Sequence, residues 1–345
     1  MGNRVLYRQD RLPIFQNRMY ETAEAGIGCP HGDIRLVQDD ATGLVYNEAF
    51  RPELMIYDEH YQNEQSVSEP FRVHLNEIAR LVLRELGNSE LIEVGCGKGF
   101  FLQLMRGQGA QITGFDPTYE GNDPAIRKTY FNAAQQMAGK GMVLRHVLEH
   151  VPDPFAFLTA IKVANGGGGL IYIEVPCLDW IIDNRAWFDS YYEHVNYFRK
   201  SDFHRMFGRV VHAENTFGGQ YLSIVADLAT LRVPAAHTEG RVDLPNDFML
   251  SIPSTEVQGA TVWGGASKGV IFALLCERAG HPVAQVIDIN PAKQGKYIAA
   301  TGLRIKSPAE ALAGLAAESP IYVMNSNYLA EIKEISNHLY NYIEV

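Results

Sequence analysis

Cysteine is scarce in this chain. Four residues among 345, Cys29, Cys96, Cys177 and Cys276, stand far apart, and no C-x-x-C pair occurs. That argues against a disulfide framework and fits a reducing, cytoplasmic setting. Cys29 and His31 could be half of a zinc site, but no second pair completes the four ligands that structural zinc takes, so no metal is expected. No stretch approaches the ~18 uninterrupted apolar residues of a spanning helix. The start, MGNRVLYRQDRLPIF, also lacks the apolar core of a secretory signal. Basic runs are missing too. With a formal net charge of −10 and a pI of about 5.6, neither nucleic acid nor an anionic membrane is an expected partner.

What is present is organised around Leu91–Phe100, LIEVGCGKGF, and Asp116 at the end of QITGF. An apolar run, a turn of Gly95, Gly97 and Gly99, a helical FFLQLMRGQG and a second run ending in a carboxylate describe strand, glycine loop, helix and strand. This is a nucleoside cradle: glycine allows positive φ and close approach of a ligand to the main chain, and the acid can accept hydrogen bonds from two ribose hydroxyls. The spacing leaves a dinucleotide and S-adenosylmethionine both open. The glycine pattern leans to the methyl donor, which has no pyrophosphate to place on a helix N-terminus.

At 345 residues more than one domain is expected. Residues 1–66 show weak periodicity and read as a cap that ends in a polar, aromatic lid, YDEHYQNEQSVS. Apolar residues at Val73, Ile78, Leu81, Val82 and Leu86 suit an amphipathic helix. Beyond Asp116, Lys128–Phe131 is a short strand candidate, Met142–Leu144 a buried strand with Arg145, His146, Glu149 and His150 at its C-terminal end, and LIYIEVPCLDW another. Alternating strands and helices predict an α/β, doubly wound parallel sheet over 67–232. A proline-bearing linker follows over 233–260. Residues 261–345 begin again with strand, glycine turn and helix, TVWGGASKGVIFALLCERAG, and then Asp288. This second, smaller Rossmann-like unit lacks the middle glycine, and Lys268 could meet a phosphate or face solvent. A substrate-side role is expected for it.

The blocks LIEVGCGKG, VLRHVLEHVPDP, YYEHVNYF and WGGASKG…DINPAKQGKY…VMNSNY together resemble the sugar C-methyltransferase family, over roughly residues 54–345. Those enzymes methylate carbon 3 of nucleotide-linked 4-keto deoxysugars. The resemblance implies the doubly wound sheet of class I methyltransferases, S-adenosylmethionine as cofactor, and a small-molecule acceptor such as a nucleotide sugar. It implies that Glu93, Gly95, Gly97 and Gly99 line the methyl donor, that Asp116 binds its ribose, and that Phe131 and Asn132 flank adenine. Arg145 and His146 would face the methionine portion. His194 would be the catalytic base with Glu193 beside it, and Tyr57 or Tyr61 would face the reacting centre from the lid. Histidine suits the abstraction of a proton next to a ketone because its pKa lies near working pH. Members usually begin with a zinc module of two cysteine pairs, which this chain lacks. The same cradle would serve an O- or N-methyltransferase, and the GGASKG turn with Asp288 leaves a nicotinamide oxidoreductase as a further class.

Overall fold

The computed structural model describes residues 3–56, 66–235, 240–248 and 259–345. Tyr57, His60 and Tyr61 of the expected lid lie outside the described residues, as does part of the linker. The first segment is more ordered than its weak periodicity suggests. β1 (Arg4–Pro13), β2 (His31–Gln38) and β3 (Val45–Asn47) form an antiparallel sheet. Its outward face carries the charges of RVLYRQDRLP, while Leu12, Ile34, Leu36 and Val45 turn into the core. Charge on one face and register shifts within β1 hide the alternation from a linear reading.

The helix Glu69–Leu86 buries Ile78, Leu81, Val82 and Leu86 as expected, and Leu75 besides; Val73, counted on the same face, is exposed. It leads into β4 (Leu91–Val94), β5 (Ile112–Phe115), β6 (Ile126–Arg127), β7 (Gly141–Arg145) and β8 (Leu170–Pro176). Their buried, near-continuous apolar runs are what a parallel sheet covered on both faces requires. The third strand is Ile126–Arg127 instead of Lys128–Phe131, because pairing with Gly114 and Phe115 places Ile126 inward against the glycine loop. β9 (Asn196–Tyr197) leaves this sheet and pairs with β3. β10 (Val210–Thr216) and β11 (Tyr221–Asp227) return as an antiparallel hairpin on β8. The spatial order is β6-β5-β4-β7-β8-β11-β10, a doubly wound sheet as expected, with its topological switch between β4 and β7.

A third sheet follows: β12 (Thr261–Trp263), β13 (Gln285–Ile287), β14 (Ile305–Lys306), β15 (Pro320–Val323) and β16 (Asn341–Glu344). All of its pairings are parallel, in the order β14-β13-β12-β15-β16, so the chain reverses direction between β12 and β15. This unit and the N-terminal sheet share one core, in which Leu12, Ile34, Trp187 and Phe272 pack together. The rings of Trp187 and Phe272 stack with centroids 5.7 Å apart.

Candidate active site

β4 runs into Gly95, Gly97 and Gly99 at φ 74°, 52° and 80°, ahead of the helix Phe100–Gly107. A Cβ on Gly95 would stand 2.4 Å from Val147, and one on Gly99 2.4 Å from Ile126. Gly97 differs, with no atom within 4 Å of that position, so the loop is open there to a ligand. Asp116 is 8% exposed, and its Oδ2 accepts the Gly97 N–H at 2.8 Å. Its Oδ1 accepts the N–H and the hydroxyl of Thr118 at 2.8 and 2.7 Å. A carboxylate has about four acceptor positions and three are used, so about one remains for a ribose hydroxyl. Glu93 lies beside it with Oε2 lacking a hydrogen-bond partner among the described residues. Burial raises its pKa to about 8, Arg145 opposing and Asp116 adding to the rise. An open glycine, an acid with no cation paired to it among the described residues and a buried carboxyl oxygen without a partner fit a nucleoside that also carries an ammonium group.

Phe131 is buried against Phe115, with ring centroids 5.1 Å apart. Asn132 is exposed, and its Oδ1 accepts the Ala134 N–H at 3.0 Å, capping a single turn. Arg145 donates through Nε to Glu174 at 2.9 Å and lies 4.5 Å over the Phe101 ring, so its guanidinium is committed inside the protein. His146 adopts φ 50° and contacts Glu174 through Nε2 at 3.1 Å and Glu149 through Nδ1 at 3.3 Å. Burial works against its charge, but the two carboxylates outweigh it and raise the pKa to about 9. Glu174, fully buried, also accepts from His74 and the Tyr172 hydroxyl, each at 2.9 Å. Its desolvation is overcome by Arg145, His146 and His74, which hold it well below the usual carboxylate range.

The YYEHVNYF block is stitched over the turn that follows β7. Val195 N–H donates to Glu149 O at 2.8 Å, Asn196 Nδ2 to Leu148 O at 3.3 Å, and His150 Nδ1 to Glu193 O at 2.7 Å. The Glu193 carboxylate accepts the Gln16 N–H at 2.7 Å. His194 is 7% exposed, with the ring of Tyr191 at 4.2 Å and that of His150 at 4.9 Å. Burial first, then the nearby His150, His146 and Lys268, hold its pKa well below the usual histidine range. It is a neutral imidazole with a free lone pair.

Tyr191 also lines a cavity of about 180 Å³. The cavity lies outside the C-terminal ends of β12, β13 and β15, at the switch point of the third sheet, where open α/β sheets take ligands. Pro176, Asp189, Tyr191 and Tyr221 close it from the larger sheet. Lys268 in its wall lies 3.2 Å from Asp189 and 3.0 Å from Gln220 Oε1, and 4.8 Å over the Trp180 ring. Gln220 and Asn325 exchange hydrogen bonds at 2.8 and 3.0 Å, tying the two sheets together across the opening.

Residues 65–210 match the family model of a methyltransferase domain, over the sheet that carries the cradle. The chain is an S-adenosylmethionine-dependent methyltransferase. This methyltransferase is 23% identical over 322 residues to the C-methyltransferase NovU of Streptomyces niveus, covering 79% of this chain and 76% of that one. It is 32% identical over 100 residues to the ubiquinone biosynthesis O-methyltransferase of Yersinia pestis, which is 25% of this chain and 41% of that enzyme's length. Among solved structures, magnesium protoporphyrin IX methyltransferase from Synechocystis aligns at a TM-score of 0.35 and 15% identity, over 51% of this chain and 91% of that one. A methyltransferase from Archaeoglobus fulgidus aligns at 0.34 and 16%, over 47% and 95%. Among the described residues no helix is long and apolar enough to cross a membrane.

Several residues of the site escaped the linear reading. Glu174 hides in an apolar strand, and its partner His74 is 100 positions away. Gln16 and Asn17 come from the N-terminal segment: Ser267 N–H donates to Gln16 O at 3.3 Å and Ser267 Oγ to Asn17 Oδ1 at 2.8 Å. A buried amide pair within an otherwise apolar PIFQNRMY was the available signal. Cys29 Sγ and His31 Nε2 are 4.0 Å apart, and among the described residues no third metal-type ligand joins them.

Proposed function

We propose that this enzyme methylates a carbon next to a keto group in a small acceptor, a nucleotide-linked deoxysugar or a compound of that shape, through an enolate. One observation carries the reading: the ring of the buried His194 lies 4.2 Å from that of Tyr191, which lines the cavity between the two sheets. S-adenosylmethionine supplies the electrophilic methyl group, and the proton chemistry falls to the chain. Gly95, Gly97 and Gly99 let the donor approach the main chain, Asp116 takes a ribose hydroxyl, Glu93 faces its ammonium end, and Phe131 with Asn132 borders adenine. Arg145 and His146 act one layer back, holding Glu174 and Glu149. His194 is unprotonated and turns its lone pair to the α-proton, although burial makes it a weaker base than a free histidine, whose pKa lies near working pH. Glu193, anchored on Gln16, fixes the loop that presents it. Tyr57 and Tyr61 keep their place in the proposal as lid residues. The acceptor reaches from the cavity past Tyr191 toward His194, and Lys268 and Lys293 are cations among the lining residues. Four buried, free cysteines support a cytoplasmic site of action.

The resemblance in the late SKG and MNSNY blocks and the NovU match across most of the chain support carbon as the atom methylated. An oxygen acceptor is the second reading, favoured by the 32% match to an O-methyltransferase within the shared domain. The test is enzyme-dependent exchange of an acceptor α-proton in deuterium oxide with S-adenosylhomocysteine bound. Exchange that falls about 100-fold in His194→Asn, with nucleoside affinity retained, supports the base. A methyl ether product with no carbon-bound deuterium would sink the proposal.

A further inference from the structure

The neighbourhood of His194 holds more coordinating chemistry than proton abstraction needs. Glu149, His150 and His194 each bring one donor atom into a common space, and the three atoms lie within 4.8 Å of one another. Glu149 is 1% exposed, yet neither of its carboxylate oxygens has a hydrogen-bond partner among the described residues. Its one charged neighbour there is His146 Nδ1 at 3.3 Å, close enough for an ion pair but not aligned for a hydrogen bond. A carboxylate at this depth costs several kcal/mol unless it is fully compensated. His150 gives its Nδ1 proton to the Glu193 carbonyl at 2.7 Å, which fixes the tautomer and leaves the lone pair on Nε2. Ligand histidines are oriented by just such a bond on the other nitrogen. No described residue hydrogen-bonds the His194 ring, whose neighbours are the faces and edges of Tyr191 and His150.

The backbone fixes the spacing of these groups. Glu149 and His150 lie in the turn after β7 and His194 in the block before β9, and the Val195 N–H bond to Glu149 O, 2.8 Å long, joins the two segments beside the cluster. We infer that Glu149, His150 and His194 form a binding site for one divalent transition ion. One carboxylate and two imidazoles suit zinc, iron, manganese or cobalt, whereas magnesium and calcium prefer oxygen ligands throughout. Three protein ligands leave a position for water or for an oxygen of a bound molecule. The lone pair of His194 cannot serve an ion and a proton together, so the base described above belongs to the empty site. The ion site does not depend on which acceptor the enzyme uses.

Cobalt(II) is the probe, because its visible d–d bands report coordination directly and need no turnover. The full chain carries Cys29→Ser as background, which removes the separate Cys29 and His31 pair from the readout. The expected result is one cobalt per chain with d–d absorption. Glu149→Gln, His150→Asn and His194→Asn should each weaken binding about 100-fold or more, beyond the 10- to 100-fold cost of losing an outer partner. S-adenosylhomocysteine binding to each variant shows that the domain is folded. A chain that binds the nucleoside but no cobalt, or whose bands survive all three substitutions, overturns the ion site and leaves the methyltransferase reading intact. One that binds neither overturns both.

Discussion

The chain builds the same local device twice, and the two copies end differently. In each, a strand runs into a glycine turn, a helix follows, and an acid stands just past the next strand. Asp116 accepts the Gly97 N–H at 2.8 Å and that of Thr118 at 2.8 Å; Asp288 accepts the Gly265 N–H at 3.1 Å and that of Asn290 at 2.8 Å. There the likeness stops. Asp288 is also paired with Lys293 at 3.2 Å, and both are nearly buried, whereas Asp116 has only the Thr118 hydroxyl in addition. The first turn is open at Gly97. At the second, a Cβ on Gly269 would sit 1.8 Å from Gly264 O, while Gly264, Ala266 and Asp288 face the cavity. Two residues before the first glycine stands Glu93 in one copy and Val262 in the other. A shared backbone template therefore does not make a shared ligand site; the lysine paired with the second acid sets the two apart. The second copy serves as a wall of the cavity.

The comparison can be broken most severely at the glycines. Gly269→Ala should destabilise the third sheet by about 3 kcal/mol or more, because the obstacle is backbone, and should lower its melting temperature while nucleoside binding by the first sheet survives. Calorimetry with and without S-adenosylhomocysteine checks this, and an unaltered melt would show that Gly269 is not held against Gly264. Next in size, Asp116→Asn should weaken S-adenosylhomocysteine binding about 10-fold, from one charge-assisted hydrogen bond of ~1.5 kcal/mol. Asp288→Asn should leave that affinity within about twofold. Equal losses in the two variants would erase the distinction.

A smaller effect sharpens it. With its pKa raised to about 8, Glu93 is protonated at pH 7, and a donor that brings an ammonium group beside it should drive ionisation. Binding then releases up to about one proton near neutral pH, read by calorimetry in buffers of different ionisation enthalpy. No release, or the same release from Glu93→Gln, would remove Glu93 from the donor site. Smallest is the pH dependence of stability. His146, raised to about 9, adds stability that is complete below its unfolded value of about 6.5 and is lost as pH rises through 9. Glu93 acts in the same direction between about 4.5 and 8, since the folded state holds its proton longer. Melting temperature should therefore fall from pH 6 to 9, and Glu93→Gln should remove the early part of that fall.

Much of the larger sheet was legible in the sequence. LIEV, MVL and LIYIEVP are buried parallel strands, and such strands read as uninterrupted apolar runs between glycine turns. The position of Asp116 was legible for the same reason, since strand, turn and helix lengths fix where the second strand ends. The N-terminal sheet was not, because β1 mixes charges with its apolar face and the edge partner of β3 comes from the YYEHVNYF block. Nor was the Glu174 hub, or the meeting of Glu149 and His150 with His194. Those depend on contacts between distant segments, about which spacing along a chain carries no information.

The pairing of β3 with β9 has a consequence for how the protein is made. Val45 waits for Tyr197, a strand that leaves the ribosome roughly 150 residues later, or about 10 to 30 s at ordinary rates of synthesis. Until then the nascent sheet presents the unpaired edge of β3, a surface on which neighbouring chains can template. The block that closes that edge also carries His194. Arrival of the proposed base and protection of the nascent chain thus fall at the same moment of translation.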